Sequence, residues 1–263
     1  MYYACNFNFR GLFMFKICLS ILLLSFTFMG CGIDEAYESL SKDESSSSGP
    51  TITLSGNEAI YTFDTLEGTT AKNSGFDAYH GEITNAASVS GKVNNALDFN
   101  LDGPSYVELA LEAGLTIDFP ENHISIDTWI NFTSLDSNYH LILGNGGLGV
   151  QSFKLFIDQG KLNFRLEGYE PVLIITSNQT FNTNEWYHIA LTYDANTAIV
   201  YINGVQDNTR NVINSVDQVW NTLYIGGVPG YNNASFPGLI DEMHLTARIK
   251  SADEIASYYN ARK

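Results

Sequence analysis

Few places in the 263-residue chain combine side chains able to do chemistry. In NEWYHIALTYD (184–194), His188 between Tyr187 and Ile189 is a candidate general base. A base of that kind serves a placed nucleophile, and no G-x-S-x-G elbow occurs in the chain. There is likewise no H-E-x-x-H, no phosphate-binding glycine loop and no close Cys/His cluster. Period-two alternation puts Tyr187, Ile189, Leu191 and Tyr193 on one face of this segment, with Trp186, His188, Ala190 and Thr192 on the other. Both sets are largely apolar. His188 is therefore expected to be part of a wall, hydrogen-bonded to a neighbouring strand or loop, and not a catalytic group. In LIDEMH, Asp241 and Glu242 fall on opposite faces and cannot work as an acid/base pair.

Recognition has better candidates than catalysis. Sugar sites combine an aromatic platform with a few polar groups that fix hydroxyls. GVPGYNNASFPG (227–238) offers Tyr231, Asn232 and Asn233 in a Gly- and Asn-rich loop, which is either a ligand loop or an ordinary long connection. Trp220, before the strand-like LYIGG, is the tryptophan expected nearest the surface, whereas Trp129 and Trp186 sit in strand patterns and are expected in the core.

The elements that must position these groups are strands. AIYTFD, SYVEL, ISIDTWINF, FKLFID, KLNFRLEG, EWYHIALTYD, AIVYING, LYIGG and LIDEMHLT all fit period-two or buried-strand patterns between Gly and Asn turns. So many short strands from Asn57 onward imply an all-β fold, a two-sheet antiparallel sandwich or a jelly roll. One short C-terminal helix is predicted, because Ser251 and Glu254 form a capping box and Ile255, Tyr258 and Tyr259 share a face. A turn at Asp194–Thr197 separates the two strands that follow Asn184.

One hairpin can be registered outright. With Gln159-Gly160 as a two-residue turn, Asp158 opposes Lys161, Phe156 opposes Asn163 and Lys154 opposes Arg165, while Phe153, Leu155, Ile157, Leu162, Phe164 and Leu166 form a core face. Two cations facing each other are unfavourable unless something anionic lies over them. Lys154, Phe156 and Arg165 are therefore either a ligand surface or two long side chains splayed into water.

The N-terminal segment differs from the rest. ICLSILLLSFTFM (17–29) is an apolar run shorter than the ~20 residues of a spanning helix, and it follows Arg10 and Lys16. It ends in FMGCG, which resembles a bacterial lipobox with Cys31 as the lipidated residue. Residues 1–30 are thus expected to be a lipoprotein signal peptide, with a true start at Met14 as one option. Residues 31–56 form the acylated Cys and a flexible acidic, Ser-rich tether reaching roughly 25 Å, and 57–263 form the folded domain. Asp34 and Glu35 resemble a surface-export patch, or are plain linker. The expected location is the bacterial outer membrane or cell surface, with the lipid as the sole membrane attachment.

Cys5, Cys18 and Cys31 are the three cysteines, so processing leaves one acylated sulfur and no disulfide or thiolate metal site. The chain carries 13 basic and 29 acidic residues, a net of −16. Removal of residues 1–30 takes away Arg10 and Lys16 and no carboxylate, leaving a net of −18. Duplex nucleic acid and anionic membrane surfaces are excluded as partners on electrostatic grounds.

From Ile60 to Tyr259, YTFDTLEG, GKVNNALDFNLDGPSYVEL, ISIDTWINF, NEWYHIALTYDANTAIVYING and LYIGG…FPGLIDEMHLTARIKSADEIASYY occur in the order seen in laminin G-like, concanavalin A-type jelly rolls, which the chain resembles. That resemblance implies a fold shared by lectin-like modules, adhesion modules and hydrolases, with a glycan or an extracellular protein as partner. Hydrolases of this type carry Glu-x-Asp-x-x-Glu on one strand, and no Glu-x-Asp exists here, which implies a non-catalytic module. The resemblance also implies a structural Ca2+ at Asp64 and Asp241 and no organic cofactor. Where relatives have Asp-Ser-Gly, this chain has Asn73-Ser74-Gly75, one charge fewer. The alternative for the two aspartates is turn and strand-end hydrogen bonding.

Overall fold

A computed structural model of the chain describes residues 52–53, 58–75, 80–110, 117–118, 123–136, 138–145, 153–166, 173–211, 219–220, 222–230 and 235–263. These residues all belong to the unit Ser48–Lys263. Cys31 and the residues expected to form the signal peptide lie outside the described residues, as do Tyr231, Asn232 and Asn233.

Alternating apolar side chains force two sheets to meet face to face. The first sheet has eight strands, running across it as Val205–Asn211, Thr197–Ile202, Tyr187–Tyr193, Ile124–Phe132, Gly238–Thr246, Asn95–Asp98 and Ala87–Ser90, with Glu58–Tyr61 also paired to Gly238–Thr246. The second has nine, in the order Leu173–Thr176, Lys161–Leu166, Phe153–Asp158, His140–Gly144, Thr222–Ile225, Tyr106–Ala110, Gly81–Thr84, Thr70–Ala71 and Leu66–Glu67. Their facing sides bury one continuous core that includes Tyr61, Leu97, Phe99, Ile126, Phe132, Leu155, Phe164, Leu191, Leu223 and Met243. This is the expected sandwich. Ile52–Thr53, Ile117–Asp118 and Val219–Trp220 form a small separate sheet.

All nine strands read from the sequence are present, and the Phe153–Asp158/Lys161–Leu166 hairpin has the predicted register, with Lys154 opposite Arg165 and Phe156 opposite Asn163. Its turn places both central residues in the left-handed region, Gln159 at φ 49° and Gly160 at φ 71°, the conformation that matches the twist of the strands it joins. The Asp194–Thr197 turn also forms, with Asp194 Oδ1 accepting from the amides of Asn196 and Thr197.

Several strands gave no sequence signal. Val205–Asn211 (VQDNTRN) is polar almost throughout; it is held by its ladder to Thr197–Ile202 and by Asn208 and Arg210, whose side chains donate to the Thr176 and Ile174 carbonyls of the other sheet.

At Gly226 the backbone lies directly against a core ring. Its φ is +78°, and a Cβ there would lie 2.2 Å from the Phe99 ring. Gly226→Ala combines left-handed strain with overpacking and is expected to destabilise by about 2–4 kcal/mol, read as a lower urea midpoint at unchanged m-value. A midpoint equal to that of the wild type would show that Phe99 can move aside.

The helix Ala252–Arg262 forms as predicted, with Ser251 Oγ accepting from the Glu254 amide and Glu254 reaching back to the Ser251 amide. It lies on the outer face of the first sheet, where Ile255 packs with Ala190 and Tyr201.

Candidate functional site

The outer face of the second sheet gathers the recognition candidates. Strand pairing places Arg165 beside Lys154, Lys154 beside Gly144, Gly144 beside Tyr224, Tyr224 beside Glu108 and Glu108 beside Glu82. One transverse row therefore runs from two cations, across a glycine and a tyrosine, to two carboxylates. Next to it, Phe156 meets Tyr139 at a tilt of 40° with ring centroids 4.3 Å apart, and Tyr106 meets Tyr224 edge-on at 5.8 Å. Asn163 adds an amide and accepts from the Thr176 hydroxyl at 2.6 Å. Burial, then the charge of Glu108, raises the Tyr224 phenol above its ordinary range.

Lys154 is 7% exposed and Phe156 8%, while Arg165 is half-buried. These are not side chains splayed into water. The face also reaches the loop read as a ligand loop, since Val228 at its start packs with Leu141, Tyr139 and Tyr224. The side chain of Trp220 lies outside what the structure describes. Its backbone pairs with Ile117 in the small sheet.

Tyr139, Tyr224, Tyr106 and Glu108 escaped sequence reasoning. Tyr106, Glu108 and Tyr224 sit in ordinary strand patterns and Tyr139 just ahead of a strand that gave no sequence signal, and what brings them together is a neighbour on a strand far away in the chain.

His188 is a wall residue, though not in the expected way. It is 0% exposed, and neither ring nitrogen has a hydrogen-bond partner. Its backbone makes the bond to a loop, donating to Asn203 Oδ1 and accepting from the Asn203 amide, while the imidazole is flanked by the rings of Trp129 and Tyr258, each with its centroid 5.3 Å away.

Beside it lies a buried charged cluster. Asp127 Oδ2 is 2.7 Å from Lys250 Nζ, and Oδ1 is 3.5 Å from His244 Nδ1 and 3.6 Å from His188 Nε2, too long for hydrogen bonds. Burial alone would raise the Asp127 carboxyl; the surrounding His188, His244 and Lys250 hold it down at about 2. Burial lowers His244 to about 4. Glu242 accepts from the Tyr258 hydroxyl at 2.7 Å and lies 3.5 Å from Arg262 Nε, so the same cluster seats the helix. Water and substrate have no access to His188. The arrangement fastens the C-terminus.

Asp64 and Asp241 do converge, on the turn Gly91–Asn95. Asp241 Oδ2 accepts from the amides of Lys92 and Val93 at 2.9 Å, and Asp64 accepts from the Asn95 amide and the Asn94 side chain at 3.0 Å. Turn hydrogen bonding is thus satisfied on both sides. Asp241 Oδ1, however, is buried without a partner, and burial, reinforced by the Glu242 charge, pushes this carboxyl up to about 7. A proton or a cation would stabilise it. Calcium takes about six to eight oxygens. Among the described residues no group of three His, Cys, Asp or Glu side chains converges, so backbone carbonyls would have to complete such a shell.

No curated protein matches the chain in sequence. Among solved structures, the binding domain of Paraclostridial Mosquitocidal Protein 1 superposes with a TM-score of 0.63 at 17% identity, covering 79% of this chain and 53% of that one. Domain 4 of AbnA, a GH43 extracellular arabinanase from Geobacillus stearothermophilus in complex with arabinotriose, gives 0.61 at 20% identity, covering 76% of this chain and 97% of that one. The Botulinum neurotoxin serotype D binding domain gives 0.60 at 14% identity, covering 77% of this chain and 50% of that one. The chain spans about half the length of the two toxin binding domains. At these identities the likeness is one of fold. The family model matches residues 101–256, more than half of the sequence, and the chain belongs to the laminin G type of the concanavalin A-like lectin/glucanases superfamily.

Proposed function

We propose that this protein is a non-catalytic carbohydrate-binding lipoprotein of a bacterial cell surface, which captures glycan on the outer face of its second sheet. The observation that carries this reading is the transverse row from Arg165 to Glu82, with the Tyr139–Phe156 and Tyr106–Tyr224 ring pairs beside it. The partly exposed rings of Tyr106, Tyr139 and Tyr224 supply apolar faces for sugar C–H surfaces, and Arg165, Glu108 and Glu82 supply hydroxyl partners. The fold shared with an arabinanase domain solved with arabinotriose supports a sugar ligand. Acylation at Cys31 would hold the domain at the membrane through its tether.

Affinity electrophoresis against a polysaccharide panel tests this, run with and without a chelator. At least one polymer is expected to retard the wild type, and Tyr224→Ala to weaken that binding about tenfold, or ~1.4 kcal/mol. A panel with no retardation overturns the glycan reading. Glu82 faces Glu108 on this surface, so reducing ends are measured in the same incubations, and their release would overturn the non-catalytic assignment.

Calcium at Asp64 and Asp241 belongs to the proposal on the strength of the unpartnered Asp241 Oδ1. Equal retardation and equal melting temperature with and without chelator would remove it. A protein ligand is the second reading, favoured by the fold shared with toxin binding domains. Retention of an envelope or host protein that no sugar competes away would replace the first reading. Mass spectrometry of the membrane form tests Cys31, where an unmodified thiol would remove the anchor.

A further inference from the structure

Three consecutive residues at the start of the strand His140–Gly144 face different partners. Tyr139 packs against the Phe156 ring, and Leu141 packs against Val228. Between them the His140 ring, 5% exposed, places Nδ1 2.9 Å from the Ser235 carbonyl and Nε2 2.7 Å from Asp136 Oδ1. Val228 and Ser235 stand on either side of the segment that carries Tyr231, Asn232 and Asn233. The ring thus ties the stem of that loop, and the chain ahead of Tyr139, to the ligand face.

A carbonyl and a carboxylate both accept hydrogen bonds and donate none. The Asp136 carboxyl, slightly raised by its partial burial, is held below its ordinary range by the Asn138 amide and by His140, so it is ionised. Both contacts are therefore hydrogen bonds only when each ring nitrogen carries a proton. A neutral ring keeps one and sets a lone pair against an oxygen at the other. Among the described residues, Asp136 is the charged group within ion-pair reach of the ring. The segment from Ser235 brings a carbonyl, the paired strand sets Ile157 opposite His140, and Asp158 is paired with Lys161.

We infer that His140, protonated at both ring nitrogens, is a positioning residue that holds Tyr139, Val228 and Ser235 against the ligand face, so that glycan affinity is highest when both of its hydrogen bonds are in place. This rests on the glycan reading above.

The test titrates the affinity of the full chain for a retarding polysaccharide from about pH 5 to about pH 8, across the range in which histidine changes charge. Loss of one hydrogen bond predicts a two- to tenfold weakening, on the order of a typical net bond. His140→Gln is expected to bind at the weak, high-pH level throughout. Asp136→Asn supplies an amide N–H to a neutral ring; it is expected to keep tight binding and flatten the profile, a rescue that a merely structural histidine would not show. A flat wild-type profile with binding intact overturns the inference and leaves the glycan reading standing. The ring is read without any ligand by 15N shifts of its two nitrogens: a neutral ring under the conditions of tightest binding overturns the inference directly. Failure of every polymer to bind, with the ring protonated, overturns the glycan reading and the affinity claim together.

Discussion

Lys250→Ala is expected to cost about 3–5 kcal/mol, because it leaves the Asp127 carboxylate, 2% exposed, without the ammonium 2.7 Å away. Equilibrium urea unfolding reads the loss directly. In a double-mutant cycle, Lys250→Met is expected to cost much less in an Asp127→Asn background than in the wild type, since most of the penalty is the stranded charge and not lost packing. A cost within about 1 kcal/mol of zero would show that water reaches Asp127, contrary to its burial.

The same cluster sets an acid limb for stability. His244 is depressed from 6.5 to about 4 in the folded state, so the unfolded chain takes up the proton first, and stability falls as pH drops from 6.5 towards 4. Asp127 is depressed from 3.8 to about 2, so its contribution is full above 3.8 and is lost as pH falls through about 2. The Lys250 charge helps to keep His244 neutral. Lys250→Ala should therefore make His244 easier to protonate, and its deficit relative to the wild type should shrink on moving from pH 7 towards pH 5, where an imidazolium can stand in for the missing ammonium.

Trp129→Ala is the second large effect, expected at about 3–5 kcal/mol. The ring is 1% exposed, stacks on Tyr259 at 5.6 Å with an interplanar angle of 28°, touches His188, and lies under Lys92 Nζ at 4.7 Å. It joins the first sheet to the C-terminal helix. Trp129→Phe should cost less than half as much, because the indole N–H has no hydrogen-bond partner to lose. Hydrogen exchange separates two ways of losing stability. Amides from Ile255 to Arg262 should lose protection before those of Ile124–Phe132, since the cavity opens at the helix seat. Simultaneous loss across both would show that the helix and sheet unfold as one unit.

The strands were legible because their signal is local. ISIDTWINF and FKLFID coincide with Ile124–Phe132 and Phe153–Asp158, and the capping box at Ser251 and Glu254 needed only a spacing of three. The hairpin register followed from a two-residue turn and the pleat. Where strands were missed, as at Val205–Asn211, the side chains are polar and the ladder is imposed by a neighbour. His188 was read correctly as a wall residue. That its ring nitrogens lack hydrogen-bond partners was not legible, because the rings flanking it come from Trp129 and from Tyr258, 70 residues further on.

The sequence by itself determined the all-β class, the turns, the hairpin carrying Lys154, Phe156 and Arg165, and the helix that closes the domain, since each depends on residues within a few positions of one another. Tertiary structure alone decided what those pieces make together. It set Tyr224 and Glu108 in line with Lys154, placed the His140 ring between Asp136 and a carbonyl 95 residues away, and brought Lys250 to Asp127 across 123 residues. Period-two patterning says which way a side chain points. It does not say which strand lies alongside, because that choice is made by long-range pairing and by burial of one shared core.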